Sequence, residues 1–267
     1  PLNRDRLLEA LQLLQLDPLI GNISAELQAG SRPENSRLQV RVKEADSFQG
    51  EVFVDNNRSP SVGSFRRGAR INQANLLGVG DGLEVSYANT NGSNEVNGSY
   101  TFPVNPRNGT IRLALGAASN TVIEEPFDAA EIEGKSRTYE LTYRQPILEK
   151  PDRNLALGVT LSRQESDTSL LGEGFALAAG ANDRGETRVS AVRFFQEYVQ
   201  RSSSQVFAAR SQFSLGTSFL GATTNDRGPD SRFLAWRGQA QYVRLLAPET
   251  LLIVRSDIQL ADRSLLS

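Results

Sequence analysis

Few residues of this sequence could perform catalysis. The 267 residues include no histidine and no cysteine, so the commonest general base and any thiolate nucleophile are missing. A hydrolase would then need paired carboxylates or a serine activated by lysine. Carboxylates cluster at Glu124, Glu125 and Asp128, but this polar stretch contains a proline and is typical of a solvated loop. We therefore predict a protein that is not an enzyme and has no catalytic residues, no cofactor and no metal site.

Three short patterns resemble ligand-binding turns. The tripeptide Asp-Arg-Gly occurs at 183–185 and again at 226–228, but aspartate and glycine are ordinary turn formers. Residues 78–82 (GVGDG) are rich in glycine, yet neither a helical pattern nor a lysine follows them, as a phosphate loop would require. We interpret all three as turns.

The polar residues that are the strongest candidates for a functional role alternate with apolar residues along the sequence. An arginine that faced lipid at mid-membrane would cost about 2–4 kcal/mol, so in a membrane protein these side chains must face water or a plug. They could pair with neighbouring strands or line a path for an unfolded polypeptide. The candidates for such a lumen lining are Arg112, Glu140, Arg210, Arg237, Gln239, Gln241, Arg255, Asp257 and Gln259.

The elements that carry these residues are predicted to be β-strands. Runs of about 9–13 residues alternate apolar and polar side chains, the length of a tilted membrane strand. Less regular runs near 50–56, 66–77 and 187–200 bring the total to about eleven strands. The phase of 187–200 is ambiguous, because Val189 and Ala191 favour one face whereas Val192 and Phe194 favour the other.

The connections and the aromatic residues favour a membrane barrel. Short turns at 105–109 and 247–249 alternate with long polar connections at 119–136, 164–186 and 219–232, which is the outer-membrane pattern. Soluble β-sandwiches and propellers, the alternative, have strands of about five or six residues. Several aromatic residues lie near strand ends on the apolar face, as in an interfacial girdle: Tyr100, Phe102, Tyr139, Tyr143, Phe233 and Tyr242.

The first 45 residues have a different pattern. Leu7, Leu8, Leu11 and Leu14 have helical spacing, with Asn3 or Asp5 as the cap and Asp17-Pro18 as the end. Two alternating runs follow, with apolar residues at 23, 25 and 27 and at 38, 40 and 42, separated by a turn-rich stretch at 30–35. The pattern predicts a helix followed by a β-hairpin, part of a small α+β domain.

Bulk composition excludes other classes. The mean hydropathy is −0.37, too polar for a bundle of membrane helices. The net charge of −2 argues against a nucleic-acid-binding protein, which normally carries a basic face. Because methionine is absent, even at position 1, we expect an excised fragment or a processed chain.

Five segments of the sequence have a familiar character: 54–68 (VDNNRSPSVGSFRRG), 75–83 (NLLGVGDGL), 143–148 (YRQPIL), 230–233 (DSRF) and 261–267 (ADRSLLS). In this order they resemble segments of the transporters of two-partner secretion, the haemolysin secretion/activation family of the outer-membrane assembly superfamily. Residues 1–45 resemble the latter part of that family's second periplasmic POTRA domain.

The resemblance implies an architecture of two POTRA domains and a sixteen-stranded barrel. We therefore expect a mainly β chain in which residues 1–45 are the C-terminal part of a POTRA domain. Residues 46–267 would then be the N-terminal part of a transmembrane antiparallel β-barrel. The strand near 252–260 would be an exposed edge unless further chain covers it.

The implied function is export of a large secreted protein across the outer membrane of a Gram-negative-type bacterium. The POTRA region would capture this client in the periplasm, with Leu8, Leu11, Ile23, Ala25 and Leu27 as the candidate contacts. The other partner would be outer-membrane lipid, and we expect a monomer. Three alternatives stay open: an assembly factor of the same superfamily, a passive porin-like barrel and a soluble all-β binding protein.

Overall fold

The computed structural model describes residues 3–29, 35–226 and 228–266. The helix and strands are α1 (Arg4–Gln15), β1 (Ile20–Ala29), β2 (Ser36–Glu44), β3 (Phe48–Asp55), β4 (Arg66–Ala74), β5 (Gly82–Asn89), β6 (Ser93–Pro103), β7 (Thr110–Thr121), β8 (Glu133–Glu149), β9 (Arg153–Leu170), β10 (Glu173–Gly174), β11 (Glu186–Arg201), β12 (Gln205–Thr217), β13 (Leu234–Ala247) and β14 (Thr250–Ala261).

The N-terminal module has the predicted elements. The Asn3 side chain caps α1 by accepting hydrogen bonds from the backbone N–H groups of Asp5 and Arg6 at 3.0 and 3.1 Å. After the helix, Asp17 accepts the N–H of Leu19 at 2.9 Å and turns the chain into β1. Strands β1 and β2 form an antiparallel hairpin, whose predicted turn at 30–35 lies mostly outside the described residues.

The rest of the chain forms one antiparallel sheet. Its strands follow the order β14-β13-β12-β11-β9-β8-β7-β6-β5-β4-β3, and the short β10 pairs with β9. This path holds eleven long strands, as predicted. The sheet is open: among the described residues β3 and β14 pair on one side only. The strand predicted at 252–260 is therefore an edge of the sheet among the described residues, and these strands do not form a closed barrel.

Strand lengths differ from the prediction. Strands β8 and β9 have 17 and 18 residues, whereas β3 and β5 have 8. Alternation weakens beyond position 163, where both phases become polar, so the sequence assigned parts of 119–136 and 164–186 to loops. In the structure these stretches extend the ladder between β8, β9 and β11.

The connections divide between the two ends of the sheet. One end has the turns 75–81, 104–109, 150–152, 202–204 and 248–249; the other has 56–65, 90–92, 122–132, 171–185 and 218–233. The first end is the short-turn end and the second the long-loop end. The chain enters β3 from the N-terminal module at the short-turn end, where Glu9 of α1 lies 3.7 Å from Lys150.

Strand register separates two chemically different faces. Phe194 lies opposite Val159 and Phe213, Phe213 lies opposite Trp236, and Trp236 lies opposite Leu260. Paired residues share a side of the sheet, so these residues define an apolar face. The register also decides the ambiguous run 187–200, because it places Phe194 on the apolar face and its neighbours on the other, the polar face.

Candidate functional site: the polar face of the sheet

The nine predicted lining residues all lie on the polar face. Arg210 lies opposite Gln239, and Gln239 lies opposite Asp257. The same register brings Arg112 opposite Thr142, two residues along β8 from Glu140. The remaining members share the phase of these residues along β13 and β14: Arg237, Gln241, Arg255 and Gln259.

The polar face is concave. Residues on it are covered by their neighbours, with Ala156 0% and Phe195 2% exposed, whereas Phe213 and Leu215 on the apolar face are 47% and 54% exposed. A groove with a cavity volume of about 540 Å³ extends across six strands, from Thr101 of β6 to Gln212 of β12. The arrangement is inverted relative to a soluble protein, because the apolar side chains are outside.

A four-residue cluster occupies the middle of the polar face. The Glu197 carboxylate of β11 accepts hydrogen bonds from Arg144 of β8 at 2.9 Å and from Arg210 of β12 at 2.7 Å. The guanidinium of Arg210 also lies over the ring of Phe195, 4.4 Å from its centroid. We call Arg144, Phe195, Glu197 and Arg210 the central cluster. It ties together three strands, β8, β11 and β12, across the intervening β9.

Further ion pairs follow the same face toward both edges. Arg193 of β11 lies 3.3 Å from Glu140 of β8. Near the first edge, Arg70 of β4 lies 3.3 Å from Glu51. Near the second, Arg237 and Asp257 pair at 2.5 Å, and Gln239 donates to the same carboxylate at 3.0 Å. The face is thus charged yet largely compensated, as a hydrated lining can be.

The family-like segment at 75–83 forms a turn built on a buried aspartate. Asp81 is 2% exposed and accepts the N–H of Leu77 at 2.9 Å and the hydroxyl of Tyr100 at 2.7 Å. Burial alone would raise its pKa, but the hydrogen bonds from Tyr100 and Leu77 outweigh burial and lower it. Gly78 and Gly80 have positive φ angles of 79° and 80°, which explains the two glycines.

A second buried aspartate lies at the long-loop end, in the segment 230–233. Asp230 is 2% exposed and pairs with Arg232 at 2.5 Å and with Arg263, beyond β14, at 3.9 Å. The hydrogen bond from Arg232 lowers the pKa of Asp230 despite its burial. The next residue, Ser231, donates its hydroxyl to the carbonyl of Thr217 at 3.2 Å. This segment therefore joins the loop 218–233 to β12 and to the chain after β14.

The remaining family-like segments also hold strand ends. In the loop 56–65, the carbonyl of Ser61 accepts the N–H of Ile123 at 2.8 Å, so the loop packs against the end of β7. In the segment 143–148, the Gln145 side chain accepts a hydrogen bond from Asn105 at 2.7 Å and donates one to the backbone carbonyl of Arg107 at 2.9 Å. The described part of 261–267 supplies Arg263. These segments hold the sheet connections, and two of them also supply polar-face residues: Asp55 and Arg66 from 54–68, and Arg144 from 143–148.

The predicted client contacts lie apart from the polar face. Ile23, Ala25 and Leu27 share one face of the hairpin, opposite Val42, Val40 and Leu38. Leu11 and Ile23 are half-buried, whereas Leu8 and Leu27 are 45% and 56% exposed. The structure does not bring this group together with the lining residues.

Sequence analysis missed four polar-face positions that the structure makes central. Arg193, Phe195 and Glu197 were not among the candidates, because the phase of 187–200 was unresolved. Arg144 directly follows the predicted alternating run 139–143 and was not among the candidates either. Phe195 points to the polar face, so hydrophobicity alone misleads there. The alternation of Arg193 with Val192 and Phe194 was the signal available. No group of three or more potential metal ligands occurs in the described part of the chain.

Comparison with known proteins now identifies the class. A family model described as "Haemolysin secretion/activation protein ShlB/FhaC/HecB" matches residues 34–259. The chain therefore belongs to the haemolysin secretion/activation family, whose members are outer-membrane transporters that export partner proteins. The family consists of transporters and not enzymes, which confirms the prediction that the chain is not an enzyme.

Individual relatives are distant. The chain is similar to the heme/hemopexin transporter protein HuxB of Haemophilus influenzae, with 24% identity over 54% of this chain and 26% of that protein. Among solved structures, CdiB from Escherichia coli matches 95% of this chain and 47% of its own, with 15% identity and a TM-score of 0.78. CdiB from Acinetobacter baumannii matches 99% and 48%, with 15% identity and a TM-score of 0.68. The chain spans about half the length of these structures or less.

These likenesses support the fold of the sheet. The two structural neighbours cover nearly all of this chain, so its open sheet matches part of a longer fold. Within the described ranges, none of the helices has the length and apolarity to cross a membrane.

Proposed function

We propose that this chain forms part of a transmembrane β-barrel that exports a secreted protein across the outer membrane. The proposal rests on the two faces of the sheet: the outer face is apolar, and the concave polar face holds ion pairs. Membership of the secretion family supports it. A polypeptide in transit would pass along the polar face, where water and paired charges would solvate its backbone and polar side chains. Such a surface would not bind any one sequence tightly.

The orientation follows from the connections. In outer-membrane barrels the short turns face the periplasm and the long loops face outside. The short-turn end of this sheet is also where the N-terminal module enters β3, which supports a periplasmic location for residues 1–45. Aromatic side chains of the apolar face, including Tyr143 and Tyr242, would meet the membrane interface, and the face between would contact lipid.

The N-terminal module would be the C-terminal part of a POTRA domain that receives the client. Strands β1 and β2 pair only with each other among the described residues, so each has a free edge to which an extended segment could add. The exposed Leu8, Ala25 and Leu27, with the half-buried Leu11 and Ile23, would contact its apolar side chains. We propose that the protein works as a monomer and without a cofactor.

Single cysteines can test the path, because the chain has none of its own. Gln239→Cys places a thiol on the polar face, and Ala240→Cys places its neighbour on the apolar face. In planar lipid bilayers, a charged, membrane-impermeant thiol reagent should reduce the conductance of Gln239→Cys and leave Ala240→Cys unchanged. The reverse pattern, or a native protein without any channel, would contradict the proposal.

A secretion assay separates export from the alternatives. Co-expression with the protein encoded beside it should release that protein into the medium, and a passive porin would conduct ions without doing so. An assembly factor would instead reduce the amounts of other barrels in the outer membrane when it is depleted. Depletion that lowers barrel levels but not secretion would favour the assembly role.

A further inference from the structure

In the middle of the polar face, β9 carries very small side chains, which leaves a depression in the sheet surface. At this level β9 presents Ala156 and Gly158 between the larger residues of β8 and β11. Arg144 of β8 and Glu197 of β11, which are not on adjacent strands, therefore meet over β9 at 2.9 Å. A larger residue at 156 or 158 would stand between them, so the small side chains and the ion pair belong to one arrangement.

Phe195 lies flat in this depression. A Cβ atom at position 158 would lie 2.6 and 2.7 Å from the ring atoms Cε1 and Cε2, which no real structure tolerates, so the ring covers Gly158 directly. Its other side is covered by the guanidinium of Arg210, and Glu197 holds that guanidinium at 2.7 Å. The ring of Phe195 is therefore enclosed between Gly158 and the Arg210 guanidinium, and the residue is only 2% exposed.

A related stack occurs at the long-loop end of β3 and β4, where the glycine and the arginine lie on the same neighbouring strand instead of on the two strands that flank the phenylalanine. Phe53 covers Gly68, where a Cβ atom would lie 2.5 Å from the ring. Arg66 lies over the Phe53 ring, 5.2 Å from its centroid, and Asp55 holds Arg66 at 2.8 Å. Both sites have phenylalanine, then an acid two residues later on the same strand, and an arginine opposite that acid. The two sites thus share a phenylalanine that covers a glycine, with a guanidinium over the ring that an acid holds.

We propose that Phe195 and Gly158 are positioning residues for transport, together with Arg210 and Glu197. The stack keeps a large aromatic side chain out of the path and presents a fixed guanidinium to the client in its place. An aromatic ring released into the path would narrow it and offer an apolar contact at which an unfolded client could stall. The role rests on the proposed export function.

Gly158→Ala tests the role directly, because the added methyl group displaces the Phe195 ring. We expect single-channel conductance to fall, because the displaced ring narrows the path, and client secretion to fall with it. The double variant Gly158→Ala/Phe195→Ala removes the displaced ring and should restore both. Gly82→Ala is the matched control: Gly82 lies on the same face, and a Cβ there meets nothing within 4 Å.

The outcomes separate the two proposals. A native protein that forms no channel would overturn the export function and this role with it. A native channel that Gly158→Ala leaves unchanged, or that the double variant fails to restore, would overturn only the role of the stack. If Gly158→Ala does not assemble, Glu197→Gln decides, because it frees Arg210 without changing the ring contact: we expect greater open-channel current noise, and native noise would overturn the role.

Discussion

The two faces of the large sheet are built on opposite rules. On the apolar face, Leu113 and Leu141 face outward and are 47% and 45% exposed. On the polar face, several arginines pair with glutamates, as Arg144 and Arg210 do with Glu197 and Arg193 does with Glu140, and small residues such as Thr160 and Ser214 are buried. A soluble protein would reverse this distribution. The difference teaches that this sheet collects its charged side chains on one face and exposes apolar side chains on the other.

The largest effect should come from an arginine placed on the apolar face of β7, compared with an arginine at the next position on the polar face. Leu113→Arg puts a charge on the apolar face opposite Tyr100 and Leu141, and lipid contact should destabilise the protein by about 2–4 kcal/mol. Ala114→Arg puts the same charge on the polar face opposite Glu140 and should be tolerated. Urea unfolding in lipid vesicles measures both; equal destabilisation would mean that the faces are not distinct.

Removal of a buried carboxylate should have the next largest effect. Asp230→Ala leaves Arg232 and its backbone N–H without their acceptor and should destabilise the loop 218–233 by about 1–3 kcal/mol. Hydrogen exchange of this loop in detergent-solubilised protein reports the change. The exposed Asp226 is the control, and Asp226→Ala should leave the exchange rates unaltered. If both variants exchange alike, the buried pair does not hold the loop.

Acid should reproduce the Asp230 effect in the native protein. Because Arg232 lowers the pKa of Asp230 in the folded state, its stabilisation is complete above the unfolded pKa of about 3.9. The stabilisation is lost as the pH falls through the lower folded pKa. Exchange of loop 218–233 should therefore be constant from neutral pH down to about pH 4, after correction for the intrinsic rate, and rise below it. In Asp230→Ala this acid response should be absent.

The smallest effect should come from the ion pairs near the sheet edge. Arg237 and Asp257 are about half exposed, so a double-mutant cycle with Arg237→Gln and Asp257→Asn should give a coupling below about 1 kcal/mol. The coupling should weaken further in molar salt. A coupling of several kcal/mol that does not weaken in salt would contradict a polar face that is in contact with water.

The sequence predicted the strands wherever one face is uniformly apolar. From 155 to 162, leucine and valine alternate with small and polar residues, so the type of element and its two faces were readable. Prediction failed where that contrast ends. Beyond position 163 both phases are polar, and β8 and β9 continue because they pair with each other and with β11, which no local pattern records.

The candidate site divides in the same way. Arg210, Gln239 and Asp257 were predictable as members of one face, since period-two alternation fixes the side to which a residue points. That Arg210 covers Phe195, and that Arg144 reaches Glu197 over Gly158, depends on the register of four strands. The POTRA assignment of residues 1–45 and the client contacts remain predictions.

The sequence by itself determined that the chain is a β protein whose strands have one apolar face, because period-two alternation is a property of residue order alone. Only the tertiary structure decided which polar residues meet. Strand register is set by pairing between segments up to dozens of residues apart, and it turned Phe195 from an ambiguous hydrophobic residue into the centre of the polar face.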